Sequence, residues 1–371
     1  IGAGLAGSLA ALALARRGLA VRLVAPQGKG AAAPATALSY GGMAGGRAAR
    51  AWRRLERRHG PLGLRRSGLV LHGWPGPLGA LPPAALAWLT APLPFFRVDA
   101  PTLCAALPDG LRAAGVERVS ATVTALERAA GGWRLHGAES GGGGQAADGG
   151  MAARQVVLAA GAGCRALWPA LPERLRVSWA GVLTLAEVPP GPAWLEPVRR
   201  GRIVQPRNWR RPALERSARA REEGDWIVDA GLAPWGEGVV LGQISRIPAP
   251  GEAGSPPDPA WMEERLREGL AELEPALGAL EAPYRQVPVT FCSDGRPLLG
   301  PVEEAPGLWI FTGFSGAFAL VPEAAERLAT AVAAAAPQNP QKGRRRRPPG
   351  AGSSVSGAPA AVSAEGQSAS Q

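Results

Sequence analysis

The chain has 371 residues, 46% of them apolar, and carries a net charge of +11. That length allows two modest domains, or one α/β domain with a large insertion, and the apolar share is enough for a real core. Three scattered cysteines (Cys104, Cys164, Cys292), three histidines (His59, His72, His136) and no apolar run of about 20 residues argue against a disulfide framework, a thiolate or histidine metal site and a membrane helix, which leaves a reduced, cytoplasmic reading.

Ile1 followed by Gly2-Ala3-Gly4 reads as the end of a strand entering a tight turn, and the chain reads as a fragment missing most of that strand. Ser8 to Arg17, rich in Ala and Leu, predicts a helix closed by Gly18, and Ala20 to Ala25 predicts a short apolar strand. Strand, helix and strand in that order are a βαβ start, which implies a parallel sheet. A loop of small residues from Gly28 to Gly46 follows, then helices over about 47–59 and from Pro101 to about Ala114. Ala121 to Glu127, Trp133 to His136 and Gln155 to Ala160 predict strands, with an expanded, mobile loop from Ala138 to Gly150. From about Val177 to Pro248 the short strands VLTLAEV, RIVQP, WIVDAGL and VVLGQIS predict a mostly antiparallel sheet. Asp258-Pro259 opens an amphipathic helix to about Glu274. A last strand from Leu308 to Thr312 leads through Gly313-Phe314-Ser315-Gly316 into an alanine-rich helix, and the tail from Pro337 reads as disordered and basic.

The first turn has a physical logic. Gly2 permits a tight turn off the strand, Gly4 lets backbone approach a pyrophosphate, and Gly7 lets the helix pack close to the sheet. The helix N-terminus then offers unpaired N–H groups and partial positive charge to phosphates. An acid usually follows the second strand in such folds, to hold the ribose hydroxyls. Here Val24 is followed by Ala25, Pro26 and Gln27, so only an uncharged Gln27 stands near that position.

Near the other end the chain reads Ser293-Asp294-Gly295-Arg296-Pro297-Leu298-Leu299-Gly300-Pro301, then Gly307-Leu308-Trp309-Ile310-Phe311-Thr312-Gly313-Phe314-Ser315-Gly316. Between the ends stand Arg97-Val98-Asp99-Ala100-Pro101, Thr122-Val123-Thr124-Ala125-Leu126 and Val156-Val157-Leu158-Ala159-Ala160-Gly161-Ala162-Gly163. With the N-terminal turn, this ordered set resembles the D-amino acid oxidase superfamily of glycine oxidases, sarcosine oxidases and D-amino acid dehydrogenases, over about residues 1–335. The resemblance implies an α/β fold. A Rossmann-like FAD-binding domain is built from segments 1–167 and 286–336, with an inserted, mostly antiparallel substrate domain at 168–285 and the tail at 337–371. It implies FAD as cofactor, an amine or amino acid as substrate, and oxygen or another electron acceptor. Gly2, Gly4, Leu5, Ala6, Gly7 and Ala25 match the dinucleotide-binding start; Ser39, Gly41, Gly42 and Met43 match the loop that passes the pyrophosphate and flavin. Val123 matches the position that meets the adenine, and Ala160 and Gly161 should lie against the cofactor. Gly313, Phe314, Ser315, Gly316, Ala317 and Phe318 should aim helix-end amides at the flavin pyrimidine, where reduced flavin carries negative charge.

Family members usually hold a substrate carboxylate with one arginine shortly before the Asp-Gly motif, because a guanidinium pairs with it bidentately. Arg285 is the candidate here, although alignment on Pro288 places Val287 at that position. No acid–base residue carries an obvious signature. Only Tyr40 and Tyr284 are available as tyrosines, and Ala317 and Leu320 stand where sarcosine oxidases have His and Lys. Cys292 reads as a buried small apolar residue, not as a flavin attachment point. Residues 47–66 hold eight Arg against one Glu, and residues 199–224 nine Arg against three Glu. These stretches read as solvated surface, with RNA or an acidic partner as the alternative. The corresponding alternative functions are the oxidoreductase half of a tRNA wobble-uridine modification enzyme, which shares this architecture, and a flavin-binding protein without turnover.

Overall fold

The computed structural model describes residues 1–26, 34–139, 151–249 and 255–336. Its parallel layer forms around the first two residues. Gly2 N donates to Val24 O and Ala159 N donates to Ile1 O, both at 2.9 Å, so the Ile1–Gly2 backbone lies between strands Arg22–Ala25 and Val156–Leu158. Arg22–Ala25 pairs in parallel with Glu117–Ala129, and Val156–Leu158 pairs in parallel with Leu308–Thr312. Antiparallel partners close both sides: Gly132–Glu139 and Met151–Ala153 beyond one, Leu298–Pro301 beyond the other.

The helix predicted from Ser8 begins earlier and spans Leu5–Arg16. Its residues from Gly7 to Leu14 are all buried, because it is clamped between the sheet and the closing helix Ala317–Ala335. A helix apolar all round is expected only in such a position. Gly18 ends it in the left-handed region, at φ +77°. Gly46–His59 packs on the same layer through Trp52, which is fully buried and donates its indole N–H to Phe318 O at 2.7 Å.

The second layer is a six-stranded sheet in the order Tyr284–Cys292, Leu175–Leu185, Gly238–Ile247, Asp225–Trp235, Ile203–Pro206 and Leu69–His72. All pairs are antiparallel except the last. Its edge strand Leu69–His72 comes from the early part of the chain, before residue 168, and Tyr284–Cys292 straddles residue 285. Sequence periodicity within 168–285 shows neither pairing, because register between distant strands is set by burial on the completed sheet. Pro259–Leu273, capped by the Asp258 carboxylate on Ala260 N, covers the outer face with Met262, Leu266 and Leu270 at successive four-residue steps. The inner face carries Ala180, Val182, Val240 and Val287, packed with Leu38 and Phe95.

The basic segments are largely engaged in internal contacts. Glu323 pairs with Arg47 and Arg54, and Glu326 with Arg16, Arg17 and Arg58. Arg53 stacks over Phe96 and Arg207 over Trp74. Arg199 and Arg200 share Glu196, and Arg221 pairs with Asp225. Helix Arg211–Ser217 is one of these arginine-rich pieces. The expectations for Gln27, for most of the Ala138–Gly150 loop and for the tail fall outside the described residues. Among the described residues, no helix is long and apolar enough to cross a membrane.

Candidate flavin and substrate site

A cavity of about 1080 Å³ runs from the glycine turn, across the parallel strands, to the inner face of the antiparallel sheet. Drug-sized ligands occupy pockets on the order of 300–1,000 Å³, so this one has room for a dinucleotide and a small second molecule.

At the turn, the three glycines do different things. Gly2 sits at φ +98°, and a Cβ on it would lie 2.4 Å from Ala159 O. A Cβ on Gly7 would lie 1.7 Å from Gly2 O. Both serve close packing of helix, turn and strand. A Cβ on Gly4 would meet nothing within 4 Å, because it would stand in the cavity. Gly4, Leu5 and Ala6 thus bring the first turn of the helix to the cavity wall, where unpaired amides and the positive helix end suit a pyrophosphate. Thr36 Oγ1 accepts from Leu5 N at 3.3 Å and ties the following loop to this turn.

Ala25 ends its strand at the cavity wall with no carboxylate. Ser39, Gly41 and Gly42 line the cavity, and Ser39 Oγ accepts from Gly41 N at 3.2 Å. Val123 lines it from strand Glu117–Ala129, and Ala160 and Gly161 from the turn that follows Val156–Leu158. The segment Gly313–Phe318 forms a further wall, with the first turn of helix Ala317–Ala335 facing inward. Gly313 is at φ +79°, where a Cβ would press on Cys292 Sγ at 2.5 Å. Two helix N-termini therefore face one cavity. That donor set fits FAD: one end for the anionic pyrophosphate, the other for a pyrimidine that gains charge on reduction.

Three of the residues matched to cofactor or substrate are not on the cavity wall. Gly7 packs behind the turn, and Met43 is buried in the core shared by the first and last helices. The Asp294-Gly295 motif also lies outside the lining; Asp294 accepts from Arg296 N at 3.0 Å and pairs with Arg174 at 2.9 Å, making a braced turn. Arg285 is exposed at the outer end of its strand, one alternation beyond the lining residue Val287. Arg285, expected as the carboxylate ligand, is exposed opposite Val182 and is not on the lining, where Val287 takes the inward place on its strand.

Sequence reading missed the charged residues that do line the cavity: Arg211, Glu215 and Asp229. Arg211 Nε meets Glu215 Oε1 at 2.9 Å, both side chains well buried, and Glu215 Oε2 accepts from the Ser315 hydroxyl. Asp229 accepts from Arg210 N and Arg211 N, each at 3.0 Å, at the start of the helix that carries Glu215. Burial pushes the Asp229 carboxyl above the usual carboxylate range, against the opposing effect of those amides and guanidinium groups. Tyr40 donates to Gly242 O at 2.6 Å beside them, and burial raises its phenol out of the titrating range. The i,i+4 spacing of Arg211 and Glu215 was visible in the sequence; their placement inside a cavity was not.

The family model for FAD dependent oxidoreductases, of the D-amino acid oxidase type, matches residues 95–331. The chain belongs to this family. A second model, glucose inhibited division protein A, also an FAD-binding family, matches residues 1–61 and so covers the glycine turn. No curated protein matches the chain. Among solved structures, glycine oxidase from Geobacillus kaustophilus is similar with a TM-score of 0.61 at 17% identity, over 90% of this chain and 93% of that one. Iminodiacetate oxidase from Chelativorans sp. BNC1 gives 0.58 at 20% identity, over 89% and 94%. Fructosamine oxidase from Aspergillus fumigatus gives 0.56 at 19%, over 91% and 85%. At these identities the likeness is one of fold. The protein is an FAD-dependent oxidoreductase with an α/β cofactor fold and a mostly antiparallel insert. The RNA-modifying alternative gains no support from these comparisons.

Proposed function

We propose that this flavoprotein oxidises the C–N bond of a small amine or amino acid and passes the electrons to oxygen or another acceptor. The observation that carries this reading is the single cavity in which two helix N-termini face the sheet wall formed by Ala180, Val182, Val287 and Val289. The activities named for the similar oxidases point the same way. Bound FAD would supply the two-electron acceptor for a hydride from the carbon bearing nitrogen. The chain's part is binding, orientation and electrostatics. Gly4 to Ala6 and Gly313 to Phe318 would hold the cofactor's two ends, with Ser39, Gly41, Gly42, Val123, Ala160 and Gly161 along its length. The apolar wall keeps water from the reacting carbon. The substrate loses that hydride and a nitrogen proton, and the resulting imine hydrolyses in water to a carbonyl compound and ammonia, or an amine where the nitrogen is substituted.

The test is the visible spectrum of the purified chain, titrated with FAD and then mixed anaerobically with amines and amino acids. Stoichiometric uptake of FAD followed by bleaching with a member of the panel is the expected result. A chain that takes up FAD but bleaches only with dithionite would overturn the oxidase reading and leave a flavin-binding protein.

A further inference from the structure

The charged lining of the cavity narrows the substrate class, on the premise that the proposed C–N oxidation is right. Among the described residues its charged side chains are Arg211, Glu215 and Asp229, and the largely exposed Arg210 guanidinium stands behind Asp229 at 3.8 Å, so each acid has an arginine beside it and no lining cation lacks a partner. The cation is held inside the protein. Arg211 pairs with Glu215 at 2.9 Å, their side chains only 16% and 8% exposed, and Glu215 is fixed in turn by Ser315. Asp229, 7% exposed, also acts electrostatically on Arg211 and accepts from its backbone amide. A substrate carboxylate arriving at this guanidinium would meet one already paired with Glu215 and close to Asp229, in a site where screening by water is weak. Elsewhere the wall is neutral: Val287 and Val289 on one strand, Ala180 and Val182 on its neighbour, with the half-exposed Trp209 also on the lining. Arg285, exposed opposite Val182 on the neighbouring strand, does not line the cavity.

The same wall suits an amine. Asp229 keeps acceptor capacity beyond its two amide bonds and the Arg210 guanidinium 3.8 Å away, since an ionised carboxylate offers about four lone-pair sites. The indole face of Trp209 attracts a cation as well. We propose that the substrate end of the cavity selects an amine that carries no carboxylate, with Asp229 meeting the nitrogen and the Ala180–Val182–Val287–Val289 wall meeting the hydrocarbon. Arg211 is then a positioning residue: it neutralises Glu215, which holds the Ser315 loop, and is not a substrate anchor.

The test uses the full chain loaded with FAD and substrate pairs that differ only by a carboxylate: putrescine against ornithine, cadaverine against lysine, butylamine against 2-aminopentanoic acid, dimethylamine against sarcosine, with both enantiomers of each chiral acid. The rate of flavin bleaching is read under anaerobic conditions, after FAD uptake has been measured separately. The expected result is bleaching at least about tenfold faster by the carboxylate-free member of a pair, the size of one charge-assisted hydrogen bond gained or one repelled charge avoided. Equal or faster bleaching by the amino acids overturns this inference while the proposed C–N oxidation stands. Bleaching by no pair at all overturns both. Two variants locate the cause. Glu215→Gln still accepts from Ser315 but releases Arg211, and should raise the amino-acid rates by about tenfold or more. Asp229→Asn should slow the amine reaction roughly tenfold to a hundredfold with FAD uptake unchanged. Pair preferences identical to wild type in both variants would remove these residues from the explanation.

Discussion

The sharpest test of the cofactor site compares Gly4→Ala with Gly7→Ala. At Gly4 the backbone has φ −71° and ψ −173°, which alanine adopts freely, and the added Cβ meets no protein atom within 4 Å. The fold should feel only the loss of glycine at the helix N-cap, at most about 1 kcal/mol. The methyl group, however, would stand where a phosphate must approach the first helical turn. Displacing a pyrophosphate from two backbone N–H donors forfeits two hydrogen bonds to a charged group, each worth about 1.5–3 kcal/mol. A total near 3 kcal/mol corresponds to a dissociation constant for FAD raised by about two orders of magnitude. At Gly7 the balance is reversed. The Cβ would sit 1.7 Å from Gly2 O, a backbone atom with no room to retreat, so helix and turn must separate. Overpacking of that kind costs typically 1–3 kcal/mol, here with a loss of helix–sheet packing across the buried face from Gly7 to Leu14. The assay is a denaturant titration of each FAD-free variant beside an FAD titration followed by flavin fluorescence. Gly4→Ala should unfold close to wild type and bind FAD about 100-fold more weakly; Gly7→Ala should unfold earlier. A Gly4→Ala variant that binds FAD as wild type does would refute the assignment of this opening to the pyrophosphate.

Three further outcomes follow from the contacts. Burial pushes the Asp99 carboxyl upward, but bonds from Thr102, Arg97 and Gly236 outweigh it and hold its pKa below the ordinary value. Its contribution to stability is therefore complete above the unfolded carboxyl pKa of 3.8 and is lost as pH falls through the lower folded value. Asp99→Asn should destabilise the fold at neutral pH, and its penalty in denaturant titrations should shrink towards the acid end; a penalty independent of pH from neutrality into strong acid would contradict this. Glu326→Gln removes the partner shared by Arg16, Arg17 and Arg58, and should cost on the order of 1 kcal/mol in low salt, less at high ionic strength. A cost unchanged by salt would argue against an electrostatic origin. Gly313→Ala meets both a left-handed backbone and Cys292 Sγ, so thermal unfolding should begin earlier, with partial recovery in the Gly313→Ala/Cys292→Ala pair. Equal melting of single and double variants would place the strain in the backbone alone.

The cofactor half was legible because its signals are local. The glycine turn, the helix closed by Gly18 and the helix opened at Pro101 are each set by residues within a few positions of one another. The substrate half was not, because its chemistry comes from contacts distant in the chain. Ser315 reaches Glu215 across 100 residues, and Asp229 reaches Arg210 and Arg211 from the neighbouring strand. In the sequence those arginines and acids looked like surface charge, since paired charges and solvated charges have the same composition. Folding separates the two cases by burial: Arg211 and Glu215 are enclosed while Arg285 remains in water.

That difference bears on how a family position should be read. A buried guanidinium needs a counter-charge, and in an amino-acid oxidase the substrate itself can supply it. Here Glu215 supplies it from within the chain, one helical turn beyond Arg211, and Val287 occupies the inward place on the strand. On the proposed reading, that permanent partner removes the incentive for an incoming carboxylate. The arginine expected before the Asp-Gly motif is therefore not misplaced along the strand to Arg285. Among the described residues the lining holds no cation without a partner, and on the proposed reading Asp229 is the group that meets a substrate arriving as a cation.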